Sequence, residues 1–292
     1  MKKSYDMVIT HIIISCKFAF FLIEIMNWIE ALILGIVQGL TEFLPVSSSG
    51  HLIIGKELLG VSLNPGAETT FEVLVHCATV LSTVYVFRNE ILKLLQGLFK
   101  FRMNEETHYI AKICISMIPV LVVGLFFKEH VKAIFGEGVT LVGLMLIVTA
   151  VLLSLTHFVK FNQHRDISYL NAFIIGVGQA IAVLPGLSRS GTTISTGLLL
   201  GNRKEEIARF SFLMVLVPIL GETFLSIVGG DFSPKISGIS HSAMIAGFLA
   251  AFFSGLFACK VMIALVKRSK LIYFAVYCAL MGAVSLVWQS FM

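Results

Sequence analysis

The chain has 292 residues, 57% of them hydrophobic and only 13% charged, and its mean hydropathy of +0.92 lies well beyond that of soluble domains. That excludes a water-soluble globular enzyme and points to a polytopic membrane protein. The 22 Lys and Arg against 17 Asp and Glu leave a net charge of +5; an excess spread over loops is what membrane orientation requires, and no basic run interleaved with stacking aromatics argues for nucleic acid as a partner.

Residues 1–25 begin with Lys2 and Lys3 and continue apolar from Val8 to Ile25, with only Lys17 and Glu24 charged. This is the pattern of a signal anchor without a small-residue cleavage site; the alternative is a working chain that starts at Met26. Residues 26–292 then form a single integral-membrane domain.

A helical run over 27–44 stops at Pro45, and a second over 52–60 is too short to cross a bilayer, since a span needs about 20 residues. Two half-length helices around a Ser/Gly turn predict a re-entrant hairpin, tolerated at depth only where protein or a wet cavity covers it. Residues 69–87 predict a span. The segment 88–106 sets Leu92, Leu95, Leu98 and Phe99 against Lys93, Lys100 and Arg102, which suits a helix lying on an anionic leaflet or a solvated connector. Spans follow over 109–127, with a kink at Pro119, and over 139–159. A second half-helix over 169–184, a turn over 185–191 and a short helix over 192–201 repeat the hairpin, before spans over 208–228, 242–266 and 271–291. Cys16, Cys77, Cys114, Cys259 and Cys278 fall in apolar segments without metal-ligand spacing and read as small hydrophobes.

The two hairpins are related. Sliding 35–60 onto 176–201 matches Gly35, Gln38, Ser47, Ser49, Gly50, Ile53, Leu58, Leu59 and Gly60 with Gly176, Gln179, Ser188, Ser190, Gly191, Ile194, Leu199, Leu200 and Gly201, an internal repeat. With 88–102 cytoplasmic, Arg88, Lys93, Lys100, Arg102, Lys160, Arg165, Arg203, Lys204, Arg209, Lys267, Arg268 and Lys270 share one side, against Lys128, Lys132 and Lys235 on the other. Three spans separate the hairpins, so they enter from opposite sides. The expected fold is therefore an all-α polytopic membrane protein of six transmembrane helices plus two re-entrant helical hairpins, an inverted-topology repeat of about 27–160 and 168–292 with its tips meeting near the midplane.

Those tips carry the polar chemistry. Gln38 and Glu42 at i and i+4 share a helix face, and an intramembrane glutamate is a functional candidate, because an unpaired carboxylate in hydrocarbon is prohibitively costly. Ser47, Ser48, Ser49 and Gly50 precede a helix and offer hydroxyls and N–H groups to an anion or, equally, an N-cap turn. Arg189, flanked by Ser188 and Ser190 and followed by Thr193, presents a planar fork suited to phosphate oxygens, or a structural partner for Glu42. His51 is either a proton donor to a leaving group or a structural hydrogen bonder. Glu72, His76 and Glu222 also fall within apolar spans, where helix-to-helix pairing is the expected role and lining the same cavity is the alternative.

Gln38-Gly-Leu-Thr-Glu42-Phe-Leu-Pro-Val-Ser47-Ser48-Ser49-Gly50-His51 and Pro185-Gly-Leu-Ser188-Arg189-Ser190-Gly191-Thr192-Thr193 together resemble the signatures of the bacterial undecaprenyl-diphosphate phosphatase family known for bacitracin resistance. The resemblance runs from Met26 to the C-terminus. Gln38 stands where many members carry Glu, and Ser49 where some carry Thr. The resemblance implies removal of the terminal phosphate of a C55 polyprenyl diphosphate, giving the monophosphate lipid carrier for cell-wall synthesis. It also implies a divalent metal, Mg or Ca, at Glu42 and Gln38, and a place in the bacterial cytoplasmic membrane. Carried over, Ser48 is the nucleophile, Glu42 its base or a metal ligand, and Arg189 the clamp on the phosphoryl group, with Ser47, Ser49, Ser188, Ser190 and Thr193 as phosphate binders. Whether Ser48 is phosphorylated or Glu42 activates water stays open at this level. A transporter or flippase of an anionic polyprenyl lipid is the alternative, since it needs the anion site but no nucleophile.

Overall fold

The computed structural model describes residues 26–127, 138–158, 165–233, 238–267 and 271–291. The expectation for residues 1–25, and Lys128, Lys132, Lys160, Lys235, Arg268 and Lys270, lie outside the described residues.

The described residues are helical throughout apart from short connections and an isolated bridge between Arg165 and Asn202. Helix α1, Trp28–Phe43, starts at Asn27, whose side chain accepts the Glu30 N–H at 3.0 Å while the Glu30 carboxylate accepts the Asn27 N–H at 2.9 Å. This reciprocal cap satisfies two otherwise orphaned donors. The helix ends at Phe43, and Leu44, the residue before Pro45, is already extended, since the proline ring disfavours helical backbone there. Helix α2 is Ser48–Leu59, and α3, Pro65–Val86, opens with proline in the first turn after an Asn64 cap, a position where no N–H is required. Then come α4 Arg88–Leu98, α5 Glu105–Phe126, α6 Gly138–Phe158, α7 Tyr169–Ile181 and α8 Arg189–Leu199. The last four are α9 Lys204–Met214, α10 Leu216–Gly229, α11 His241–Lys267 and α12 Ile272–Ser290. Helix α5 continues through Pro119.

Among the described residues, six segments are long and apolar enough to cross a membrane: Pro65–Val86, Glu105–Phe126, Gly138–Phe158, Lys204–Gly229, His241–Val266 and Ile272–Ser290. The fourth differs from the sequence expectation of one helix over 208–228, because it starts earlier and breaks at Val215 into α9 and α10. Pro218 has no N–H to give the Met214 carbonyl, so the ladder is interrupted at that point. Helices α1, α2, α7 and α8 are too short to span.

Packing pairs the elements in a regular way: α1 lies along α11, α7 along α5, α6 along α12, and α3 against α10 and α11. The two matched glycines make the first two pairings possible. A methyl group at Gly35 would lie 2.3 Å from the Gly247 carbonyl oxygen of α11, and one at Gly176 would lie 2.3 Å from the Ser116 carbonyl oxygen of α5.

The starts of α1, α3 and α11 gather in one apolar cluster through Met26, Ala67, Ile239 and Ala243. The starts of α5, α7 and α9 gather elsewhere: His108 Nδ1 is 2.5 Å from the Tyr169 hydroxyl, and the Arg209 guanidinium lies 5.7 Å from the centre of the Tyr109 ring. The 22 residues of α3, about 33 Å at the helical rise, separate these two ends. Lys93 pairs with Glu106 at 3.5 Å and Arg165 bridges to Asn202, so cations of the expected cytoplasmic set collect at the second end. Leu92, Leu95 and Leu98 of α4 and Phe99 just after it are exposed, the face an interfacial helix offers to lipid.

Candidate functional site

Helix α1 carries Gln38 and Glu42 one turn apart, and the Gln38 amide donates to Glu42 Oε2 at 2.9 Å. The chain then turns through Pro45 to Ser47, whose φ of 68° lies in the left-handed region. For a non-glycine residue that conformation costs about 1–3 kcal/mol. The cap that Ser47 makes, its Oγ accepting the Gly50 N–H at 3.3 Å, offsets about 1 kcal/mol. The remaining strain has a result next door: Ser48 Oγ folds back and donates to Glu42 Oε2 at 2.6 Å.

The second tip is anchored on α6. Gly186 has φ 90° and sits so close that a methyl group there would be 2.6 Å from the Val142 carbonyl, while the Ser188 N–H donates to Thr149 Oγ1 at 3.0 Å. Ser188 caps α8 by accepting the Gly191 N–H at 3.1 Å, as Ser47 caps α2. The tips touch: Ser190 Oγ donates to the Leu44 carbonyl at 3.1 Å, and Arg189 Nη2 donates to Glu42 Oε1.

Glu42 is thus held between a guanidinium on one oxygen and a hydroxyl and an amide on the other, with its side chain 4% exposed. Burial of a carboxylate at that depth requires such a partner, and removing either member of the pair would strand the other. The adjoining cavity, lined by Glu42, Phe43, Thr79, Thr83, Arg189 and Phe212, measures about 10 Å³, room for about one water.

The structure therefore brings Gln38, Glu42, Ser48 and Arg189 to one point. The remaining predicted residues build the tips. Ser47 and Ser49 hydroxyls lie 3.3 Å apart and those of Ser188 and Ser190 3.4 Å apart. Thr193 Oγ1 donates to the Arg189 carbonyl at 2.9 Å and meets Ser211 Oγ at 2.6 Å. His51 is engaged elsewhere: Nδ1 lies 2.8 Å from the Ser47 carbonyl and Nε2 2.7 Å from the Tyr277 hydroxyl of α12. A carbonyl only accepts, so Nδ1 carries the hydrogen and Nε2 receives the phenol. Both ring nitrogens of His51 are thus engaged in hydrogen bonds.

Of the three side chains expected to pair helix to helix, Glu72 does so with Lys56 of α2 at 3.1 Å, Glu222 is exposed on α10, and His76 reaches the site, with Nε2 3.5 Å from Glu42 Oε2. Sequence reasoning singled out His76 but favoured helix pairing for it, and missed the buried Lys56, which also pairs with Glu68. A signal was present: Glu68, Glu72, His76, Thr79 and Thr83 recur at helical spacing and form one polar stripe on an otherwise apolar helix.

The oxygen donors at this point are of the kind a hard cation takes. It consists of one carboxylate, hydroxyls and the Gln38 Oε1, which is buried without a hydrogen-bond partner. Mg²⁺ is commonly held by one or two carboxylates together with substrate phosphates.

An acid, a hydroxyl and a guanidinium converging where two helix-turn-helix tips touch, in a chain whose described residues hold six helices long and apolar enough to cross a membrane, define a multi-pass helical membrane protein with a buried, charged, hydroxyl-bearing cluster. The sequence profile described as "Bacitracin resistance protein BacA" matches residues 31–284, and the chain belongs to that family. It is 56% identical over 264 residues to a protein named undecaprenyl-diphosphatase from Bacteroides fragilis, covering 90% of this chain and 98% of the relative. A protein of the same name from Bacteroides thetaiotaomicron is 55% identical over 269 residues, covering 90% and 100%. One from Salinibacter ruber is 39% identical over 272 residues, covering 89% and 99%.

Proposed function

We propose that this protein hydrolyses undecaprenyl diphosphate to undecaprenyl phosphate and inorganic phosphate, recycling the lipid carrier of cell-wall synthesis and conferring resistance to bacitracin. The observation that carries the reading is the shared grip on Glu42: Ser48 Oγ at 2.6 Å from one carboxylate oxygen and Arg189 on the other. An anion carrier needs the guanidinium but has no use for a hydroxyl hydrogen-bonded to a buried base, which is the arrangement of an activated nucleophile.

Ser48 attacks the terminal phosphorus while Glu42 takes its proton, and the bond to the bridging oxygen breaks with its electron pair leaving on the lipid monophosphate. Arg189 neutralises the charge on the transferring phosphoryl group, the term on which phosphoryl transfer depends most. A cavity of about 10 Å³ does not hold a diphosphate, so substrate entry exchanges the partner of Arg189 from carboxylate to phosphate and frees Glu42 as a base. A divalent cation, Mg or Ca, would be held by Glu42 and Gln38 Oε1 and would supply further charge neutralisation on the diphosphate. Ser47, Ser49, Ser188, Ser190 and Thr193 shape the N–H cradle around it, and the C55 tail stays in lipid.

The chain sits multi-pass in the bacterial cytoplasmic membrane, with its tips as re-entrant hairpins of an inverted repeat. Support comes from the matched pairings of α1 with α11 and α7 with α5, and from hairpins that start at opposite ends of α3. The test is phosphate release from a polyprenyl diphosphate by the purified protein with added Mg²⁺ or Ca²⁺. Release is expected, and is abolished by Glu42→Ala and by Arg189→Ala. Intact diphosphate after incubation of the unaltered protein would overturn the enzyme reading in favour of a carrier.

A further inference from the structure

We propose that His76 is the base that takes the proton of the attacking water when the phosphoryl group leaves Ser48, an inference that rests on Ser48 being the nucleophile. Its Nδ1 lies 2.7 Å from the Glu72 carbonyl oxygen, which can only accept. Nδ1 therefore carries a hydrogen, and Nε2 is the ring nitrogen turned toward the site. Nε2 stands 3.5 Å from Glu42 Oε2, the same oxygen that receives the Ser48 hydroxyl at 2.6 Å. Nε2 and Ser48 Oγ are thus no more than about two hydrogen-bond lengths apart. Within that reach a water bonded to Nε2 can approach a phosphorus carried on Oγ from the side opposite the bond that breaks.

Proton bookkeeping calls for such a second base. After the first half-reaction Glu42 holds the Ser48 proton and has no capacity for another. In the second half the water oxygen bonds to phosphorus and the P–Oγ bond breaks with its electron pair going to Oγ. Glu42 returns its proton to Oγ, and the water's proton passes to His76 Nε2. The products are inorganic phosphate, the free Ser48 hydroxyl, the Glu42 carboxylate and an imidazolium that faces it. His51 is turned away from Glu42, with Ser47 and Tyr277 on its two nitrogens.

The polar stripe of α3 supplies the way out for that proton. Side-chain exposure falls from 42% at Glu68 to 26% at Glu72 and 25% at His76, then to 4% at Glu42, so His76 stands at the boundary between the wetted face and the buried carboxylate. The charged groups around it are Glu42 of α1 and, through Glu42, Arg189 of α8, with Glu72 on its own helix neutralised by Lys56 of α2.

The test is a rapid-quench measurement on the purified full chain with a polyprenyl diphosphate labelled in its terminal phosphate. His76→Ala is expected to give a burst of about one lipid monophosphate per protein, phosphate release slowed about 10²-fold or more, and label retained on the peptide over residues 46–51. Added imidazole restores phosphate release. His76→Gln, which keeps the volume and a polar group, shows the same burst and no response to imidazole. Near-normal turnover in either variant, or loss of both products alike without a burst, overturns the assignment. Phosphate release by Ser48→Ala at the unaltered rate sinks the nucleophile reading itself, whatever His76→Ala does.

Discussion

Arg189 and Glu42 form the contact on which the rest of the site depends, and the chemistry of the guanidinium sets what a substitution there does. A lysine keeps the charge but loses the planar fork that grips two oxygens. Arg189→Lys is expected to lower kcat about 10²-fold, the usual effect of removing one transition-state donor, and steady-state kinetics would check it. Ser47 offers the opposite separation, between stability and turnover. Ser47→Gly relieves the left-handed backbone at φ 68° and, at the cap, loses only a few tenths of a kcal/mol. The variant should melt at an unchanged or higher temperature, yet turn over more slowly as Ser48 loses its fixed bearing on Glu42. A melting temperature lowered together with kcat would contradict this account. At this scale the sequence was legible for Glu42, Ser48 and Arg189, because polar residues in an oily chain announce themselves. It was ambiguous for His51 and His76, because an imidazole's role depends on what its two nitrogens meet, and local spacing does not say.

Among the elements, α1 and α7 hold the tips in place through close backbone approach to α11 and α5. Leucine at Gly35 or Gly176 would push its Cβ to within 2.3 Å of a carbonyl oxygen, and because backbone cannot yield cheaply the helix itself must move. Gly35→Leu and Gly176→Leu are each expected to destabilise by about 1–3 kcal/mol or more and to abolish turnover. Gly124→Leu, where nothing lies within 4 Å, leaves both intact. Thermal melting in detergent, alongside phosphate release, reads out all three. Helix ends were legible where Pro45 stops α1, but the starts of α2 at Ser48 and α3 at Pro65 lie four residues before the expected 52 and 69, because the Ser47 and Asn64 caps set them. The break at Val215 was not legible, although Pro218 is visible, because a proline near a helix start is tolerated and one within a span only kinks it, as the uninterrupted α5 with Pro119 illustrates.

For the whole molecule, the decisive feature is that two hairpins far apart in the chain meet. A methyl group at Gly191 would lie 3.3 Å from Pro45 Cβ, close to the Cβ separation of a disulfide. In a background where the five native cysteines are replaced, Pro45→Cys with Gly191→Cys should cross-link on oxidation, detectable as a shift after proteolysis between the hairpins. Failure to cross-link would mean that the tips do not meet in the membrane. Composition, charge asymmetry and the repeat between 35–60 and 176–201 by themselves determined a polytopic all-helical protein and named the residues at each tip, because membrane insertion and helix capping obey local rules. Only the tertiary structure decided that Arg189 closes on Glu42, that His51 turns to Tyr277 and that His76 takes its place beside the carboxylate. Those contacts join residues on different helices, and which faces meet is settled by packing, which no single stretch of chain encodes.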